Sequence, residues 1–261
     1  MDKLSYYIAL DGVPLASVSP LIRIADVIEL RPERTTNLQA RLQTPGSLLV
    51  RDHIASREVR VQFAVLTSEL SLRTRILSDV TAWAMNGNLL EIADRPGQRL
   101  QVCCTETPQT MSKRKWTELC EMTFTAHAVP FWEDRFPVTV SADAVTEETL
   151  HIRPTGNVQT CPLRCSVTPE SNALTALTIA ANGAEMAFSG LAVPAGRTFS
   201  IAYQEGVITA FWTDTDGSRV PCLSCRSGSE GIPLNARQDN AIHIAASTAC
   251  KLQLSARGWY W

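Results

Sequence analysis

Glu58-Val59-Arg60-Val61-Gln62-Phe63-Ala64-Val65 alternates polar and apolar residues without a break, the pattern of a strand with one face buried and the other exposed or paired. After it Ser68 is expected to cap a helix, because Leu72, Ile76, Val80 and Trp83 recur at helical spacing along one stripe. Glu69 with Arg73 and Arg75 with Asp79 read as i,i+4 pairs on the remaining surface of that helix. Asn86-Gly87-Asn88 reads as its stop, through tolerance of a left-handed backbone. Working outward, 89–92 and 100–102 read as strands joined by Asp94-Arg95-Pro96-Gly97, where Pro96 presets φ and Gly97 accepts the positive φ of a type II turn. The segment 105–115 reads as a polar loop. Beyond it Cys120, Met122, Phe124, Ala126 and Ala128 are apolar at every second position, opposite Glu121, Thr123, Thr125 and His127. This second long strand ends at Val129-Pro130-Phe131-Trp132-Glu133-Asp134, where proline stops pairing and two aromatics close a core.

Toward the N-terminus, Asp11-Gly12 sits between two apolar stretches and predicts a tight hairpin turn. The apolar segment 21–30 then leads into Arg31-Pro32-Glu33-Arg34-Thr35-Thr36-Asn37-Leu38-Gln39-Ala40-Arg41, which is polar and weakly periodic. It reads as a long loop or an extended arm over 31–49. As a loop it is a solvated surface; as an arm its three arginines suit docking on a neighbouring subunit.

Past residue 136 no stretch carries helical periodicity, and short apolar alternations recur at intervals of about eight to twelve residues. Strands are expected around 149–153, 163–167, 174–180, 185–188, 199–203, 207–213, 242–246 and 252–256. Asn182-Gly183, Pro194-Ala195-Gly196, Glu205-Gly206 and Asp216-Gly217 supply turns between them. The expectation is therefore a first domain, 1–135, mainly β with one helix, followed by an all-β sandwich or jelly roll, 136–261.

Composition bounds the function. At 261 residues with 45% hydrophobic and 19% charged side chains, the chain has material for two cores and is unlike a disordered segment. Twenty-four Lys and Arg against 26 Asp and Glu, a net charge of −2, give no basic excess of the kind that nucleic acid or anionic lipid attracts. No apolar run approaches a bilayer span, and the opening residues lack the core of a secretion signal, so a soluble protein made in a cytoplasm, with eight reduced cysteines, is expected.

Catalytic constellations are weak throughout. Cys222-Leu223-Ser224-Cys225 has the spacing for two thiolates on one metal, with Cys161 and Cys165 as further ligands. Cys165 falls in phase with Leu163 and Val167, however, and packing as small hydrophobes explains all four cysteines, so neither metal nor cofactor is expected. His53, His127, His151 and His243 are scattered. Asp214-Thr215-Asp216-Gly217 resembles half a calcium loop without its remaining ligands. Glu147-Glu148 point to opposite faces of a strand and make no acid/base pair. Gly258-Trp259-Tyr260-Trp261 reads either as a core-packed edge strand or as a stacking platform for sugar rings, with Trp259 and Trp261 on one face.

The order of these elements (strand, helix ending in Trp83, strand, Asp94-Arg95-Pro96-Gly97 corner, strands, Pro130-Phe131-Trp132, all-β second half) resembles the distal tail protein family of long-tailed siphophages. The best-matched stretch is 59–132. The resemblance implies a tail-tube-like first domain that assembles as a six-membered ring, and a galectin-like β-sandwich second domain that carries receptor-binding and other tail-tip proteins. It implies a structural hub at the virion tail tip, assembled in the host cytoplasm, and no enzyme. Arg31, Arg34 and Arg41 become candidates for the interface between copies, since ring closure covers sheet edges and arms that a lone subunit leaves exposed. The alternative is a carbohydrate-binding module contacting host glycans through Trp259 and Trp261.

Overall fold

The computed structural model describes residues 6–40, 47–204 and 206–261, with the backbone alone at 35–40 and 47–53. The chain divides into two compact units, 1–132 and 133–261.

In the first unit the two alternating segments become neighbours. Arg57–Val65 pairs antiparallel with Glu118–Ala126, setting Val59 opposite Phe124, Val61 opposite Met122 and Phe63 opposite Cys120. Ile22–Leu30 flanks the first of these strands and Cys103–Lys113 the second, completing a four-stranded sheet. Val59, Val61, Phe63, Val65, Cys120, Met122, Phe124 and Ala126 are all buried, as a period of two on one pleated face requires. The expected loop over 105–115 is thus strand as far as Lys113. Its side chains are mostly exposed, since a polar strand on a sheet edge leaves no apolar alternation to read.

The helix, Leu70–Asn86, begins two residues past Ser68. Glu69 flanks it without a side-chain cap, while Thr67 Oγ1 accepts the Glu69 N–H at 3.2 Å. Its inward stripe is Arg73, Ile76, Val80 and Ala84. Trp83 is half-buried, meets Phe124 edge to face at 6.1 Å and donates from Nε1 to the Val13 carbonyl. Gly87 does not turn left-handed: its φ is −105°. Space is the requirement there, because a Cβ on Gly87 would lie 2.6 Å from Leu10 Cβ. Asp11 and Gly12 take φ of 50° and 79°, the two positive values of a type I′ hairpin turn. The Asp11 carboxylate also accepts the N–H groups of Asn88 and Leu89. At the 94–97 corner, Gly97 has φ 76° and the Gln98 N–H closes on the Arg95 carbonyl at 3.1 Å.

Within the expected loop or arm over 31–49, residues 34–40 and 47–49 are strand, while 41–46 lie outside the described residues. Arg34–Ala40 pairs antiparallel with Ser47–Ile54, and among the described residues this hairpin joins no larger sheet.

The second unit is organised by one strand. Asn240–Ala256 runs 17 residues where two separate strands were expected. Even-numbered positions from Asn240 to Ala256 keep a single inward phase, but Ala246 and Thr248 are not large apolar residues, so the pattern looks interrupted in the sequence. Val138–Ile152 pairs along one edge of this strand, with a bulge at 142–145 where Ala144 has φ 56°. The other edge is shared: Arg164–Pro169 pairs with 250–255, and Leu174–Ala181 with 243–246. From the first grows a wing of Phe199–Gln204, Val207–Thr213 and Arg219–Pro221; from the second, a wing of Ala184–Val193 and Arg226–Gly228. Phe188 of one wing and Phe199 of the other meet edge to face at 5.1 Å, so the sheet curls over its own core.

Candidate functional site

The first candidate is the hairpin arm of the first unit. Its root is held by Glu29, the penultimate residue of the Ile22–Leu30 strand. Arg57 pairs with the Glu29 carboxylate; Arg95 adds bonds of 3.1 and 3.0 Å, and the Trp132 indole N–H a fourth at 3.0 Å. Arg57 is fully buried, donates from Nε to the Pro130 carbonyl, and leaves Nη2 without a partner. Burial, and then Arg95, bring its guanidinium down to about 10. The Ala55 N–H bonds the Glu33 carbonyl at 2.8 Å, closing the base of the arm. Of the arm's arginines, Arg31 and Arg34 are exposed, and Arg41 lies outside the described residues. Sequence periodicity does not reveal this root, because Glu29, Arg57, Arg95 and Trp132 come from four segments and no spacing links them.

Arg73 was expected on the helix surface beside Glu69. It is instead buried and pairs at 3.4 Å with Glu118, which is buried too. Its guanidinium also bonds the carbonyls of Thr67, Arg114 and Lys115, while Glu118 accepts from Thr110 Oγ1 at 2.6 Å. Two charges taken out of water need such additional partners to be tolerated.

The second candidate is an open groove of about 710 Å³ in the second unit. Tyr203 and Trp259 line it as a tilted aromatic pair, with centroids 5.7 Å apart and planes at 52°. Arg226, Ser229, Glu230 and Thr160 supply polar groups, and Ile208, Leu223 and Ile232 apolar ones. Gly231 lets the chain pass close under Ile208, where a Cβ would come within 2.5 Å of Ile208 Cδ1. Trp259, in the strand Trp259–Tyr260, is half-buried against the core of this unit. Trp261 is 40% exposed, bonds Asn157 through its backbone N–H at 2.9 Å, and is not among the residues that line the groove. The two tryptophans are thus in different surroundings. Nothing local in the sequence marks Tyr203 or Arg226 as partners of Trp259.

The other sequence candidates are dispersed. Cys161 and Cys165 are buried, as is Cys222, whose thiol donates to the Val220 carbonyl, while Cys225 is half-exposed. Burial pushes the Cys161 and Cys165 thiols up to about 12. Among the described residues no group of three or more His, Cys, Asp or Glu is placed to hold a metal ion. His151 Nδ1 lies 2.7 Å from Asp239 and His243 Nε2 3.6 Å from Glu147, all exposed. His127 is exposed, and the side chain of His53 lies outside the described residues. The Asp214–Asp216 segment is a turn whose carboxylates bond Thr215 and Ser218 N–H groups.

No protein-family model matches this chain, and no curated protein matches it in sequence. Solved structures do match its fold. The Dit protein of phage SPP1, described as a paradigm of the hub adsorption apparatus in phages infecting Gram-positive bacteria, superposes over 97% of this chain and 98% of its own, with a TM-score of 0.65 at 11% identity. A chain of the phage P2 baseplate in its activated conformation with calcium matches over 97% of each chain, with a TM-score of 0.55 at 9% identity. The strontium-bound form of that baseplate gives 0.53 at 10% identity. The fold is that of phage distal tail hub and baseplate proteins.

Proposed function

We propose that this chain is a structural hub of a phage tail tip. The observation that carries the reading is likeness over nearly the whole chain, both units included, to a protein described as a hub of an adsorption apparatus. In this reading the first domain, 1–135, closes a six-membered ring below the tail tube, and the second, 136–261, is a galectin-like sandwich that carries tip and receptor-binding proteins.

The free-standing hairpin supports the ring. Arg34–Ala40 and Ser47–Ile54 pair with each other and with no other described strand, and an isolated two-stranded hairpin is marginal in water. A neighbouring copy covers such an arm through a heterologous interface that repeats around a closed ring. Arg31, Arg34 and Arg41 then contact the neighbour. The role is architectural, in the virion tail, with assembly in the host cytoplasm and no catalysis.

Electron microscopy and mass measurement of the purified full-length protein test this. Six-membered rings are expected, and reversal of the three arginines to glutamate lowers the ring fraction without unfolding the subunit. A protein that stays monomeric at high concentration and in the presence of tail-tube and tip proteins refutes the hub reading.

A further inference from the structure

We propose that the groove bounded by Tyr203 and Trp259 binds a neutral carbohydrate. This goes beyond the hub reading and stands without it, since the groove lies entirely within the second unit.

The walls set the ligand class. Two aromatic rings at 52° present apolar faces of the kind that the C–H face of a pyranose covers, while hydroxyls at the sugar's rim remain free to bond. The lining also includes Arg226, Glu230, Ser229 and Thr160, whose side chains carry donors and acceptors together. Sugar hydroxyls both donate and accept, so a mixed set of this kind suits them. One cation beside one carboxylate carries no net charge, which disfavours phosphates and acidic ligands, for which clustered arginines are the usual solution. A volume of about 710 Å³ falls within the range of small-ligand sites, about 300 to 1,000 Å³.

Preorganisation is the second line of argument. Trp259 is held on both sides by one carboxylate: Asp134 accepts the Gly258 N–H at 2.9 Å and the Tyr260 hydroxyl at 3.0 Å, and Thr155 also bonds it. The Trp259 carbonyl accepts the N–H groups of Asn157 and Val158 at 2.9 and 3.0 Å. Gly258 has no room for a Cβ, which would come within 2.4 Å of Thr155 Oγ1. Arg164 donates to the Tyr203 carbonyl at 3.4 Å, and Arg226 Nη1 donates to the Glu230 carbonyl at 2.8 Å. Recognition surfaces require side chains fixed by such supporting bonds, because every rotamer left free before binding must be ordered during it.

The test uses the full-length protein on an array of neutral oligosaccharides built from hexoses, deoxyhexoses and N-acetylhexosamines, followed by calorimetry on the best ligand. Binding is expected, with a change in tryptophan fluorescence. Tyr203→Ala and Arg226→Ala should each weaken it about tenfold, the loss of one stacking or one charge-assisted contact. Trp259→Phe keeps an aromatic ring, removes the fluorescence response and retains part of the affinity. Trp261→Ala should bind as the unaltered protein does. Circular dichroism confirms that each variant is folded. Absence of binding to any neutral glycan at millimolar ligand overturns the proposal. So does binding unchanged by Tyr203→Ala, or binding confined to acidic glycans or to an extended peptide. Ring formation is scored separately, so a glycan-binding monomer refutes the hub reading alone, and a ring that ignores sugars refutes this one alone.

Discussion

Glu118→Met removes the carboxylate facing Arg73 and leaves a guanidinium in a site where both side chains are only 3% exposed. Breaking a buried pair from one side costs about 3–5 kcal/mol, because the remaining charge stays desolvated. Arg73 keeps the carbonyls of Thr67, Arg114 and Lys115, which places the cost toward the lower end, about 3 kcal/mol. Arg73→Met leaves Glu118 with Thr110 at 2.6 Å and Lys113 at 3.7 Å, the latter on an exposed side chain that follows it into solvent, and should cost about 2 kcal/mol. The double substitution removes both charges together with the buried, unpartnered Nε of Arg73. It should cost about 1 kcal/mol, well below the sum of the two, since a well-packed apolar replacement of a buried pair is often near neutral. Urea unfolding of the single and double variants gives the cycle. Trp83, Trp116 and Trp132 report the first unit by fluorescence, once the contribution of the second unit is subtracted with a Trp212, Trp259 and Trp261 reference variant. At about 3–5 °C per kcal/mol for a unit of this size, Glu118→Met lowers its melting temperature by roughly 10–15 °C. A loss under about 1 kcal/mol for Glu118→Met, or costs that add in the double variant, would refute the assignment of this pair as a buried, mutually compensating contact.

Three further outcomes are expected. Cys161 and Cys165 keep their protons up to about pH 12 in the fold, chiefly through burial, whereas unfolded thiols lose theirs near 9. The unfolded state therefore binds fewer protons between these values, and stability, intact below pH 9, falls as pH rises; the two thiols together remove about 3 kcal/mol at pH 10, measurable as a drop in urea midpoint that Cys→Ala at both positions reduces, the remainder coming from Cys120 and Cys250, whose thiols burial raises to about 11. Gly87→Ala should destabilise by about 1–2 kcal/mol, since Leu10, 2% exposed, must yield to the added methyl while φ of −105° is acceptable to alanine; an unchanged melting curve would show that the helix end can shift instead. Asn240, 1% exposed, donates to the carbonyls of Ile152, Asn235 and Gln238 and accepts from Asn182 Nδ2 and the Asn235 N–H; Asn240→Ala should cost about 3 kcal/mol in calorimetry, and Asn240→Asp no less, because its carboxylate faces three carbonyls.

The elements legible in the sequence are those whose side chains carry the pattern. Val59, Val61, Phe63 and Val65 announce a strand because each fills one pleat, and Ile76 and Val80 announce a helix for the same reason. Elements specified by backbone pairing are hidden: Arg34–Ala40 pairs with Ser47–Ile54 although neither sequence alternates polar and apolar residues, and the Cys103–Lys113 edge strand keeps most of its side chains exposed, so periodicity is silent about them. Arg73 deceived because a stripe counted in apolar residues leaves an arginine outside, yet the guanidinium found a buried carboxylate 45 residues away. Of the site, the aromatic ending was visible and its pairing was not. Tyr203 and Arg226 come from one sheet and Trp259 from another, and no short-range rule encodes which members of distant strands line one groove. The 94–97 corner was readable because its constraint is local to Pro96 and Gly97.

The long strand Asn240–Ala256 has a temporal consequence. Both wings of the second unit, and the whole of Val138–Ile152, hang on it, so none of their pairings to it exists until the ribosome has released residues 240–256. The first unit completes its sheet with Cys103–Lys113 and Glu118–Ala126 and has no such wait. During synthesis the wing hairpins can pair locally, but for about a hundred residues the edges that pair with 240–256 stay bare and the shared core around Ile179, Phe188 and Phe199 stays incomplete, and nascent chains stalled before residue 240 should be the species that chaperones capture and proteases clip.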